Sequence, residues 1–168
     1  MTKRSITAQS ILWLFILFQG LLTGGALFDA LVLTPLWAGS PPQSVTTWSY
    51  GVIQGKFFVP IGTVGALFSL VLLFTARLTP PQCRRWAVIA AVCGLIVLLS
   101  ELLFFIPIQM KIQATPGTGL SSEEIVNLAN RFVLWHWLKL AVGLTAFAAG
   151  LQALAKFNSP DDGRLHSQ

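Results

Sequence analysis

Five ionisable side chains, Asp29, Lys56, Glu101, His136 and Lys139, stand inside stretches that are otherwise almost wholly apolar. A charge in hydrocarbon costs several kcal/mol unless it meets a partner or water, so such residues mark either ion pairs or a site. The chemistry open to this set is acid–base chemistry. An imidazole with an ordinary pKa of about 6.5 serves as a general base near neutrality, which makes His136 the first candidate. Glu101 can orient that ring, and Lys139 or Lys56 can hold the negative charge of an enolate. We therefore take His136, Glu101 and Lys139 as the catalytic candidates. Asp29, Lys56, Gln54, Gln109 and Trp135 are the ligand-binding candidates beside them.

The elements that must position these side chains are membrane spans. The chain has 168 residues, 54% hydrophobic and 10% charged, with a mean hydropathy of +0.71. A soluble domain carries roughly a quarter charged residues, so a water-soluble fold is excluded. Apolar runs at about 11–33, 56–76, 86–106 and 132–155 each reach the roughly 20 residues that cross a bilayer. The first run is longer than the apolar core of a secretory signal, roughly 7–15 residues, and reads as a span. Pro80, Pro81, Pro107 and Pro116 punctuate the gaps. The expected fold is all-α: one four-helix transmembrane domain over 1–157, with a polar tail over 158–168.

Charge sets the expected orientation. Lys3 and Arg4 precede the first span, Arg77, Arg84 and Arg85 flank the tight second connection, and Lys156 ends the fourth span. The positive-inside rule places these, and both termini, in the cytoplasm. The connection from Thr34 to Tyr50 has no charged residue and carries Trp37, Trp48 and Tyr50, as an aromatic belt at the opposite interface would. The expected location is a cell membrane, that of a bacterial inner membrane, with the bilayer as first partner. Ser121 and Glu124 have the spacing of a capping box, which starts the fourth helix about two turns before Phe132. Gly20 and Gly24, and Gly51 and Gly55, are glycine pairs four apart that suit close packing of the first two helices.

Depth follows from a rise of about 1.5 Å per residue. Asp29 lies about 6 Å below the outer end of its span, Glu101 about 8 Å, and His136 and Lys139 about 6 and 10 Å, with Lys56 near the outer end of the second helix. All five share the outer half although they come from four helices. Two readings stay open: the charges neutralise one another as pairs, Asp29 with Lys56 and Glu101 with Lys139 or His136, or they frame a polar pocket. In the second reading Trp135, Trp137, Phe104 or Phe105 line the pocket.

Other chemistries find little footing. A hard-ligand set of His136, Glu101 and Asp29 lacks the paired-histidine, HExxH or CxxC spacing of a metal site, so no metal and no cofactor is expected. Cys83 and Cys93 are about 15 Å apart along one helix and are expected as unpaired thiols. The net charge of +5 sits in clusters between apolar runs, which argues against nucleic acid. A proton relay is hard to draw, because the inner half offers only Gln19, Ser69, Thr75 and similar groups.

The stretches GLLTGGALFDALVLTPLW, ELLFFIPIQMKI and RFVLWHWLKLAVGLTAF resemble three blocks of the anthrone-oxygenase-like family of small four-span membrane proteins. The corresponding residues are Gly24, Gly25, Glu101, Pro107, Trp135, His136 and Lys139, with Gln109 and Lys139 where that family often has asparagine and arginine. The resemblance implies a four-helix bundle and cofactor-free oxidation of a polycyclic anthrone. The resulting expectation is an oxygenase-like enzyme for a hydrophobic aromatic or quinone-like molecule. Its rival is a non-catalytic protein that holds a lipid, pigment or quinone, or an accessory subunit with a membrane-protein partner.

Overall fold

The computed structural model describes residues 3–47, 50–113 and 120–158, with side-chain surroundings for 6–45, 55–112 and 120–158. Every regular element among them is helical: α1 (Lys3–Phe28), α2 (Thr34–Ala38), α3 (Gln43–Thr47), α4 (Tyr50–Thr75), α5 (Pro81–Ser100), α6 (Ile106–Gln113) and α7 (Ser122–Asn158). Four helical stretches, Ile6–Ala38, Gly55–Leu78, Pro81–Ile112 and Ser122–Asn158, are long and apolar enough to cross a membrane. The chain is thus a multi-pass membrane protein. Leu103 is 76% exposed and Phe74 70%, an arrangement that suits lipid and not water.

The spans form a square: α1 packs on α4 and α7, and α5 packs on the same two. Gln9 Nε2 donates to Asn158 Oδ1 at 3.0 Å, so the start of the first span and the end of the last meet at one end. This is also the end of the tight turn, where Arg84 donates to the Arg77 carbonyl at 3.2 Å. We call it the turn end, and the opposite one the loop end.

At the turn end the core is built from small residues. Ala87, Ala90 and Ala91 of α5 face Ala146, Ala149 and Ala153 of α7, all at most 2% exposed, with Leu12, Phe15 and Leu72 filling the remainder. Side chains of one carbon let the two backbones approach, which is how membrane helices gain packing without a hydrophobic driving force. The expected glycine pairs behave differently. A Cβ on Gly20 would lie 3.1 Å from Phe147 of α7, one on Gly24 or Gly55 would meet nothing within 4 Å, and the α1–α4 approach instead uses Gly25 and Gly65. The side-chain surroundings of Gly51 lie outside the described residues.

Proline corrects the expected span ends. Pro107 does not close the third span, and Pro35 sits within the first. Each helix runs through its proline by way of a five-residue π-helical turn, Asp29–Leu33 in the first and Glu101–Phe105 in the third. The Thr34 amide donates to the Asp29 carbonyl and the Ile106 amide to the Glu101 carbonyl. Such a wider turn shifts the hydrogen-bond ladder, so that a residue without an N–H, whose ring crowds the carbonyl four back, is absorbed instead of ending the helix. The connection expected as a charge-free loop is likewise partly helical, as α2 and α3. These pack with α6 and the first turns of α7 around Trp37, Val45, Ile108 and Ile125 to form a cap.

The fourth helix starts where the capping box put it. Glu124 N–H donates to Ser121 Oγ at 3.3 Å and Ser121 N–H donates to Glu124 Oε2 at 2.8 Å. Cys83 and Cys93 are free thiols.

Candidate functional site

Both π turns begin on an acid: Asp29 and Glu101 each occupy the first position of a turn and stand six residues before a proline. The first and third helices run in the same direction and occupy opposite corners of the square, so one backbone device delivers two carboxylates to one level from two sides. Helix α7 answers with His136 and Lys139, three apart and on one face.

The pairing is specific. Lys139 Nζ donates to Glu101 Oε1 and lies 4.0 Å from the centre of the Phe105 ring, adding a cation–π contact. His136 Nε2 lies 3.0 Å from the Ala26 carbonyl and 3.5 Å from Asp29 Oδ2. With two oxygen acceptors at Nε2, the fitting tautomer carries its hydrogen there, because a lone pair would face lone pairs. Nδ1 is buried without a hydrogen-bond partner among the described residues. The imidazole is stacked on Phe132 at 5.6 Å and edge-on to Phe105 at 5.9 Å.

Beside these pairs lies a cavity of about 180 Å³. Asp29, Glu101 and Lys139 line it at the level of the pairs, Gln109 lines it nearer the loop end, and Gln19 and Thr23 of α1 line it deeper in. Gln19 Nε2 donates to the Gly143 carbonyl at 3.4 Å, closing the floor where the alanine core begins. The absent side chain of Gly143 leaves room for that contact, since a Cβ there would come 3.3 Å from Thr23 Oγ1. The wall from α4 is Gly55, Phe58, Val59, Gly62, Thr63 and Ala66, with no ionisable group.

The expected site residues therefore separate. Asp29, Glu101, Lys139 and Gln109 come together on the cavity. His136 is not on its wall but backs Asp29, because the α7 rotation that points Lys139 inward turns the imidazole against the faces and edges of Phe132 and Phe105. Trp135 lies outside: it is 44% exposed and packs on Phe104 at 4.9 Å. Trp137, 45% exposed, is outside as well, and Lys56 is exposed away from the cavity. Asp29 pairs with His136 and not with Lys56. The side chain of Gln54 lies outside the described residues. Among the described residues no three His, Cys, Asp or Glu side chains gather as a metal site. Of the wall residues Gln19 and Thr23, the sequence marked the first only as a weak polar group of the inner half and the second not at all. Their signal was two polar residues four apart on an otherwise apolar helix.

Comparison with known protein families, curated proteins and solved structures finds no match for this chain.

Proposed function

We propose that the protein takes a hydrophobic aromatic or quinone-like molecule from the bilayer into this cavity, where a phenol hydroxyl would donate to Asp29 or a carbonyl oxygen would accept from Lys139. The observation that carries the reading is a cavity whose polar walls come from three helices at one level while its fourth wall is apolar. Orphan charges would be expelled from such a place, but a ligand oxygen can share charges already held in pairs.

The same geometry supports a reaction. Asp29 lies on the wall, where a general base must stand to reach a substrate proton, and His136 behind it acts as a positioning residue. A methylene flanked by a ring and a carbonyl would give its proton to Asp29, with the enolate held by Lys139. Dissolved O₂ would oxidise that carbanion to a hydroperoxide, which loses water to leave a carbonyl. The balance is one CH₂ and one O₂ consumed, one C=O and one H₂O formed. Non-catalytic holding of the same ligand is favoured by the mutual satisfaction of the two pairs.

By the positive-inside rule, Arg77, Arg84, Arg85 and Lys156 support a cytoplasmic turn end, and we propose that the cavity lies in the outer half of the membrane, a bacterial inner membrane in this reading. Binding of single-ring phenol and quinone probes, and turnover of a single-ring benzyl ketone that carries such a methylene, test the proposal in nanodiscs. Asp29→Asn should abolish turnover and keep some binding, whereas Lys139→Met should weaken both at least tenfold. Probes that bind both variants as they bind the parent refute the site.

A further inference from the structure

The wall built by α4 differs from the other three. Every described side chain from Gly55 to Val64 is half-buried or exposed, whereas Gly65, Ser69 and Leu72 further along the same helix are buried. Pro60 stands inside this stretch and cannot donate to the Lys56 carbonyl. One turn on, Thr63 Oγ1 donates to the Val59 carbonyl at 2.8 Å, a back-bond that bends helices. The first half of α4 thus buries no described residue fully, and it meets α1 through Phe57 and Phe58 at Gly25. Val59, 60% exposed, and Leu102, 52% exposed, belong at once to the cavity wall and to the outer surface of the bundle. The cavity accordingly opens sideways between α4 and the third span.

Its size and polarity describe what comes through. A closed cavity of roughly 150 Å³ takes a benzene ring, so about 180 Å³ seats one substituted ring, and anything longer runs out through the opening. Charge lies on the α1, α5 and α7 sides, and the side toward the opening is apolar.

Resting on the pocket reading above, we propose that the ligand is a single-ring phenol or quinone bearing an aliphatic tail. It enters laterally from the bilayer, with the ring against Asp29 and Lys139 and the tail leaving past Val59 and Leu102 into lipid. A polycyclic anthrone, the substrate class that the family resemblance implies, would extend a rigid ring system, not a flexible tail, through the opening.

The experiment measures equilibrium binding to the full chain in phosphatidylcholine nanodiscs, with each affinity corrected for partition into empty nanodiscs. The probes are a decyl-substituted benzoquinone, the same benzoquinone without the chain, and anthraquinone. The tailed ring should bind at least tenfold tighter than either of the others. Gly55→Phe places a ring in the opening where a Cβ meets nothing within 4 Å, so it should fold normally and lose tenfold or more for the tailed probe. Val59→Trp, at an exposed position, serves as the second block. Equal corrected affinity for tailed and untailed rings, with Lys139→Met still weakening both, overturns the lateral entry and leaves the pocket standing. Failure of all three probes to bind overturns both.

Discussion

The two ends of the bundle are held together by opposite means. At the turn end, α5 and α7 meet through alanines that leave no room, and the contact is apolar throughout. At the loop end the same two helices are joined by a charged pair, Glu101 with Lys139, beside open space. The difference teaches where evolution can place a site in a chain this small. Packing that excludes everything supports one half, and the other half keeps a cavity that packing alone would close.

Breaking the charged half should have the largest effect. Lys139→Met leaves Glu101 without its cation, and orphaning one member of a buried pair costs roughly 3–5 kcal/mol. Because the Glu101 side chain keeps 31% of its surface accessible, the loss should fall at or below the lower figure. Thermal unfolding in detergent reads it. Combining Lys139→Met with Glu101→Leu should recover most of the stability but none of the ligand binding, which separates the pair's structural part from its place on the cavity. Full stability in the single variant would mean that the pair holds nothing together.

Next comes the packed half. Ala90→Leu adds three carbons to a fully buried position in the α5–α7 seam, and overpacking of this kind costs about 1–3 kcal/mol. Binding of a ring probe should survive wherever the variant folds, since the seam lies below the cavity floor. Gly55→Phe should stay within ~0.5 kcal/mol of the parent, as surface changes away from tight contacts do. The smallest effect belongs to Trp135→Phe, which should change neither stability nor probe binding, because that side chain faces away from the cavity. A tenfold loss of affinity there would move the binding surface to the outside of α7.

Much of this contrast could be read from the sequence. Four spans follow from apolar run length, and the common level of Asp29, Glu101, His136 and Lys139 follows from helix rise alone. The rotation of each helix does not follow, because an all-round apolar helix gives no face to count from. For that reason the sequence could not say that Asp29 takes His136, that Lys56 and Trp135 point away, or that His136 stands behind Asp29. The π turns were legible in principle: Asp29 and Pro35, like Glu101 and Pro107, are an acid and a proline six apart. Prolines read as punctuation hid the repeat, because the usual expectation is that proline ends or kinks a helix.

Photolabelling asks the central question most directly. A decyl benzoquinone carrying a diazirine beside the ring, activated in nanodiscs and mapped by mass spectrometry, reports which side chains the ring touches. Labels on cavity residues such as Phe58, Gly62 and Leu140, lost on adding unlabelled probe, are the expected result. Labels confined to lipid-facing residues such as Phe74 and Leu103, unchanged by competitor, would show that the paired charges enclose no binding site.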